Sequence, residues 1–332
     1  MRPALYNILV CPDCRGTLGL EISEQVYDRV LTGALLCQPC DKHYPIRKGI
    51  PRFIDTESYV ENFGWQWKRF SRTQIDAFNG TRESEGRFRA ETGWRPEEIR
   101  GELILDAGCG AGRFSAVAGQ WGARVVAVDL NNAVESCRDN MEELGHDVEV
   151  VQASLYALPF RPATFDRIFS LGVIQHTPDP RSAMIRLPEF LKAGGHLAFW
   201  LYEKRWTRFI MLRSYLRLLT RRLSPRANYA LSAALVSTFF PVTLALSRIP
   251  GLRRALPLMP ISSRHFWGRL SIRQQWEWTM LDTFDSYSPV YELNQTEKDV
   301  VHLLTSSGME EVHRTAASGM AIVGRKAAAV NS

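Results

Sequence analysis

Five short apolar runs, at 103–106, 124–129, 148–152, 167–171 and 196–201, punctuate the middle of the chain, with spans of mixed polarity between them. Runs of that length bounded by turn residues read as buried strands, and strands alternating with helical spans predict an α/β fold with a doubly wound parallel sheet. Beyond them, Thr296-Glu-Lys-Asp299 reads as the start of a helix over 297–307 that Gly308 ends, and 310–315 and 320–324 read as two terminal antiparallel strands. Elsewhere the period is helical. Phe63, Trp67 and Phe70 fall on one helix face, and 208–223 sets Phe209, Leu212, Leu216 and Leu219 on one stripe with Arg213, Arg217 and Arg221 on another. Residues 230–247 are 18 positions without a charge. A membrane span needs about 20 apolar residues, and Ser232, Ser237, Thr238, Pro241 and Thr243 interrupt this run. It reads as a buried or lid helix kinked near Pro241, with an interfacial membrane element as the alternative.

The first apolar run leads into a glycine-rich turn, Asp106-Ala-Gly108-Cys109-Gly110-Ala-Gly112, and the second ends in Asp129. Gly108 and Gly110 allow positive φ and let a ligand lie against bare backbone, while Gly112 permits a helix to pack closely on a strand. The helix that follows points free N–H groups at the turn. An acid at the end of the second strand is placed to accept hydrogen bonds from ribose hydroxyls.

Four of the six cysteines form two knuckles, Cys11-Pro-Asp-Cys14 and Cys37-Gln-Pro-Cys40, whose spacing suits one tetrahedral Zn²⁺ with a hairpin between. All four positions are filled by thiolates, which makes the metal structural; His43 is then a surface residue. Cys109 and Cys137 read as small buried hydrophobes, and nothing argues for disulfides.

With 332 residues, 45% of them hydrophobic and 23% charged, the chain can bury a substantial core. It opens without the charged and apolar regions of a secretory signal, so a cytoplasmic protein is expected. Net charge hides an asymmetry: 204–273 holds 14 Lys and Arg and no Asp or Glu, while the remainder is net acidic. A basic, apolar segment of this kind suits an amphiphilic or anionic partner or the face of a membrane.

The turn with an acid at Asp106, together with Lys192-Ala-Gly-Gly195 leading into the fifth strand, resembles motif I and a later hallmark of class I S-adenosylmethionine-dependent methyltransferases. The cysteine module with Tyr44-Pro-Ile46 and Gly49-Ile-Pro51 resembles the small zinc-ribbon proteins that accompany certain tRNA and release-factor methyltransferases. The resemblance implies a Rossmann-like sheet closed by a terminal antiparallel hairpin whose last strand inserts between strands five and six. The divisions that follow are a zinc ribbon at 1–54, an aromatic helical connector or cap at 55–100, a methyltransferase domain at 101–203 and 277–328, and a basic helical insertion at 204–276. It further implies that Asp106, Gly108, Cys109, Gly110 and Gly112 hold the methionine and ribose part of S-adenosylmethionine, Asp129 and Leu130 the ribose diol, and Ser154 and Leu155 the adenine side, with Leu171 completing the set. Ser154 stands where the family commonly has an Asp. His176, in the loop after strand four, is suited to take a proton from an acceptor hydroxyl, or else packs or caps a helix. Trp67, Tyr202, Tyr287 and Tyr291 fall on the substrate side.

The acceptor is less directly encoded. A small molecule, glycan or lipid-linked compound methylated on oxygen is expected, with peripheral contact to the inner face of a membrane through 204–273. The ribbon and the basic segment also allow an RNA-modifying enzyme, although the Asn/Asp-Pro-Pro-Tyr/Phe signature of many base-amino methyltransferases is replaced by Ile174-Gln-His-Thr177. A cofactor-binding scaffold without turnover is the third reading.

Overall fold

The computed structural model describes residues 1–54, 61–204, 212–220, 222–263, 265 and 269–328. A short helix α1 (Pro3–Tyr6) leads into strands β1 (Gly19–Val26), β2 (Arg29–Cys37), β3 (Lys42–Arg47) and β4 (Ile50–Pro51), which form an antiparallel sheet in that order. Four helices follow: α2 (Glu61–Arg69), α3 (Asp76–Asn79), α4 (Glu83–Thr92) and α5 (Pro96–Ile99). The central unit then runs β5 (Leu103–Ala107), α6 (Arg113–Gln120), β6 (Arg124–Asp129), α7 (Ala133–Glu143), β7 (Val148–Gln152), β8 (Phe165–Leu171), α8 (Pro180–Arg186) and β9 (Leu191–Leu201). Helices α9 (Leu212–Thr220), α10 (Pro225–Leu246) and α11 (Ile272–Tyr287) intervene before α12 (Glu297–Ser306), β10 (Met309–Arg314) and β11 (Met320–Lys326) close the chain.

The seven long strands β5–β11 form one sheet in the order β10-β11-β9-β8-β5-β6-β7. Five are parallel, and β11 runs antiparallel between β9 and β10, the arrangement expected of the terminal hairpin. Successive side chains along each strand point to opposite faces, so Leu105, Val126, Val128, Val151 and Phe199 enter one core while Ile104, Val125, Ala127, Phe169 and Ala198 enter the other. The segment before β5 contributes Ile75, Phe88, Trp94 and Ile99 to the second core. Phe88 of α4 is fully buried and meets Trp94, Trp121 and Phe169 edge-on with ring centres 5.1–5.9 Å apart. From α4 onward the connector packs in this core through Phe88, Trp94 and Ile99.

The first core is shared with the ribbon, whose Leu5, Leu9, Leu35 and Ile46 pack on it. Phe53 N–H donates to Gln152 O (2.9 Å), so the ribbon ends by pairing with edge strand β7, which buries an edge that would otherwise be open. Around this seam every ion pair among the described residues places the cation on the ribbon. Arg2 meets Asp147 and Glu149, Arg15 meets Glu189, Arg29 meets Glu142, and Lys48 and Arg52 both meet Glu135.

The expected domain resumption at 277 falls inside α11, a continuous helix capped by Ser271. It packs on α10, α9 and α2, and Phe70, Val236, Phe240, Ile261, Met280 and Leu281 make a third, smaller core. Of the predicted basic helix over 208–223, the part before Leu212, with Phe209, and also Arg221 lie outside the described residues. Arg217, expected on a free basic stripe, pairs with Glu292 (2.5 Å) and donates to Pro289 O (3.0 Å).

Candidate active site

The turn after β5 takes φ of +102° at Gly108, +53° at Gly110 and +90° at Gly112, all in the region that excludes most side chains. Space excludes them as well. A Cβ at Gly108 would lie 2.3 Å from Val173 Cγ1, and one at Gly110 would lie 3.0 Å from the Trp67 ring. Gly112 differs from expectation: its Cβ would meet Cys137 Sγ at 2.9 Å, so this glycine brings α6 against α7, not against a strand.

Asp129 ties the turn to the next strand. Its carboxylate accepts hydrogen bonds from Gly110 N (2.8 Å), Asn131 N (3.2 Å) and Asn131 Nδ2 (2.7 Å). Burial raises its pKa, and the backbone N–H groups oppose that rise. A carboxylate offers about four lone-pair directions, so the pair of oxygens retains capacity for the adjacent hydroxyls of a ribose. Asp106 is placed otherwise. It is 3% exposed, accepts from Ser115 Oγ (2.6 Å), does not line the cavity, and is pushed up to about 7 by burial.

A cavity of about 490 Å³ opens over the turn. Gly108, Cys109, Gly110, Asp129, Leu130, Ser154, Leu155, Leu171, His176, Trp67 and Tyr202, all anticipated from sequence, line it. A glycine floor, a carboxylate for a diol and a cleft flanked by Ser154 and Leu155 suit S-adenosylmethionine, which carries no pyrophosphate. Trp67 and Phe63 cover the turn from α2, while Phe70, just past the helix, packs in the third core. The aromatic face thus both caps the cavity and holds the cap down.

His176 sits where the loop after β8 faces the cavity, 8% exposed, with its ring centre 5.4 Å from both Phe63 and Tyr202. Its Nδ1 is 3.0 Å from Tyr291 O. A carbonyl oxygen can only accept, so Nδ1 carries a hydrogen, and in the neutral ring the lone pair is then on Nε2. Tyr291 therefore enters through its backbone and does not line the cavity. Tyr287 is buried, donates its hydroxyl hydrogen to Pro260 O (2.6 Å), and also lies outside it. Sequence reasoning set the stretches holding Gln66, Asp282 and Asp285 beside the pocket without giving those side chains a role, and passed over Asn131, Arg87 and Arg113; all six line the cavity. The aspartates stand three apart on α11, a helical repeat legible in the sequence; the arginines carried no such signal.

In the ribbon, the Sγ atoms of Cys11, Cys14, Cys37 and Cys40 all lie within 4.8 Å of one another, with Cys11–Cys40 at 3.9 Å and Cys14–Cys37 at 3.5 Å. Tetrahedral Zn²⁺ with bonds of about 2.3 Å requires sulfur separations of about 3.8 Å, so the four thiolates fit a structural Zn²⁺. His43 is exposed, and Cys109 and Cys137 are buried and free of disulfides.

Strand order, glycine turn and thiolate cluster together define a class I methyltransferase fold joined to a zinc ribbon. Residues 105–199 match the family model of the methyltransferase domain, and residues 2–49 match that of the Trm112p-like proteins. Among curated proteins, the ubiquinone biosynthesis O-methyltransferase of Azotobacter vinelandii is 34% identical over 110 residues, covering 32% of this chain and 47% of the relative. The Xylella fastidiosa protein of the same name is 35% identical over 101 residues, covering 30% and 41%. The chain thus spans less than half the length of these relatives. A SAM-dependent methyltransferase structure from Methanosarcina mazei is 18% identical and covers 69% of this chain and 94% of its own, with a TM-score of 0.40.

Proposed function

We propose that the protein transfers the methyl group of S-adenosylmethionine to a hydroxyl oxygen of a small-molecule acceptor. The observation that carries this reading is the convergence of the glycine turn, Asp129 and His176 on one cavity. The cofactor supplies an electrophilic methyl on sulfonium. The residues supply position and a base: the turn and Asp129 orient the cofactor, Trp67 and Phe63 exclude water, and His176 Nε2 takes the proton as the acceptor oxygen forms its bond to carbon. The names of the curated relatives support oxygen as the methylated atom. Titration of the protein with S-adenosylhomocysteine in a calorimeter tests the reading, and absence of binding overturns it.

The RNA reading loses support at the ribbon. Its cations Arg2, Arg15, Arg29, Lys48 and Arg52 pair with acids of the α/β unit, which leaves them engaged and not arrayed for phosphates.

The finer proposal is that the protein works at the surface of a membrane and takes an amphiphilic acceptor, glycan-bearing or lipid-linked. Helix α10 has a mean hydropathy of 1.7 over its most apolar 18 residues, of which 22% are buried. It buries Asn228, Ser232 and Thr243 along with Val236 and Phe240, against α11, and turns Ala227, Ala230, Ala234, Pro241, Val242 and Ala245 outward with Ser237 and Thr238, Arg226 at its start being the one exposed charge. A helix in water ordinarily turns charge outward. Eight of the thirteen large apolar side chains exposed among the described residues lie between Tyr215 and Ile272, amid exposed Arg222, Arg226, Arg253 and Arg254. Apolar groups flanked by arginines without acids suit an anionic lipid interface. The same segment supplies Leu256, Pro257 and Ile261 to the cavity wall.

A further inference from the structure

The cavity extends beyond the glycine turn to an end lined by Gln66, Gln74, Arg87, Arg113, Asp282 and Asp285. The donors there are largely committed to the protein itself. Gln74 Nε2 donates to Asp282 Oδ1 (3.3 Å), and Arg113 donates to Gln74 Oε1 (3.0 Å) and Ser84 Oγ (2.8 Å). Arg87 pairs with Glu91 (2.5 Å) and stacks 4.5 Å over the Trp200 ring. Ser286 Oγ donates to Asp282 O (2.8 Å), so in its 2.6 Å contact with Ser286 it is Ser262 that gives the hydrogen.

Acceptors are what this end has to spare. Gln66 is 1% exposed, and its Nε2 donates to Asp285 Oδ1 (3.3 Å), an orientation that the carboxylate enforces. Its Oε1 has no hydrogen-bond partner, and neither has Ser263 Oγ, which also lines the cavity. A buried amide oxygen without a donor is costly and marks a place for one. Two aspartates disfavour an anion, and two arginines beside them disfavour a cation. A wholly apolar ligand would leave Gln66 Oε1 unpaired.

We propose that this end of the cavity is a subsite for an uncharged, hydroxyl-rich acceptor of the saccharide or polyol class, with Gln66 Oε1 and the Asp285 carboxylate accepting from its hydroxyls. The Trp67 and Trp200 rings line the same cavity. The inference rests on the methyl-transfer reading, since it identifies the acceptor of that reaction.

Saturation-transfer NMR on the full chain loaded with S-adenosylhomocysteine tests it. The probes are methyl glycosides of glucose, galactose, mannose and rhamnose and free inositol, with catechol, ethanolamine and inorganic phosphate as competing chemistries. At least one polyol is expected to receive saturation, and Asp285→Asn and Gln66→Met should each weaken its binding about tenfold, the effect of losing one hydrogen bond in a buried site. S-adenosylhomocysteine affinity, measured on the same samples, should stay at the wild-type value, showing that both variants fold. Saturation of none of the polyols, or polyol binding that both variants retain in full, overturns the subsite while leaving the cofactor reading intact. Loss of homocysteine-cofactor binding in wild type overturns the methyl-transfer reading instead.

Discussion

The carbonyl oxygen of Tyr291 lies 3.0 Å from Nδ1 of His176. The segment that brings it there is anchored by Leu293 N–H donating to Gln175 O (2.8 Å) and Gln295 N–H donating to Tyr202 O (3.0 Å). The backbone of one segment therefore sets the tautomer of a histidine more than a hundred positions away in sequence.

Replacement of His176 by Ala is expected to lower turnover about 10²- to 10⁴-fold, the usual contribution of a positioned base. Affinity for S-adenosylhomocysteine should be unchanged. Methyl transfer from labelled S-adenosylmethionine, read beside calorimetry, separates the two; near-normal turnover would falsify the assignment.

Asp129 and Asp106 should part company. Asp129→Ala removes hydrogen bonds from a charged acceptor, each contributing about 1.5–3 kcal/mol, and is expected to weaken cofactor binding at least about tenfold. Asp106→Asn keeps an oxygen for Ser115 and touches no cavity wall, so its cofactor affinity should match wild type. Calorimetry on the pair decides, and equal losses refute the separation.

Stability should carry the mark of Asp106 in its pH dependence. Burial holds its carboxyl up to about 7, and that of Asp285 up to about 6. Unfolded aspartates titrate near about 4, so between about pH 4 and pH 7 the folded state binds the extra proton and stability falls as pH rises. The term is complete above that window. Asp106→Asn should therefore gain on wild type from pH 5 to pH 7.5 in urea midpoint, and parallel curves would remove Asp106 as the cause.

Removing zinc with a chelator should do more than melt the ribbon. Leu35 and Ile46 belong to the same core as Val151 and Phe160 of the α/β unit, so its loss bares one face of the sheet and the edge of β7. A lower and broader thermal transition is expected for the chelated protein and for Cys14→Ser. A ribbon that unfolds without moving the main transition argues against this shared core.

At the apolar, arginine-bearing face, the protein should float with vesicles containing phosphatidylglycerol at low salt and not with pure phosphatidylcholine. Each arginine near such a surface contributes about 1 kcal/mol, so Arg253→Glu with Arg254→Glu should release most of the bound protein. Failure to float on either vesicle removes the membrane proposal.

What the sequence alone determined here is local. Apolar runs of strand length, a glycine turn that needs positive φ, and paired cysteine knuckles are short-range patterns with one physical solution each, and so the order of β5 to β9, the cradle and the thiolate set were legible in it. What only the tertiary structure decided depends on contacts between distant segments. Tyr287 and Tyr291 looked like substrate residues by resemblance, yet the fold sends one hydroxyl to Pro260 and brings the backbone carbonyl of the other to His176. Asp106 looked like part of the cradle, but the alternation of the strand turns it inward toward Ser115. Gln66 and Asp285 are far apart in the chain, and only the packing of α2 on α11 makes them neighbours across a cavity. Periodicity reports which face of an element is buried; which other element covers that face is decided by the packing of the whole chain.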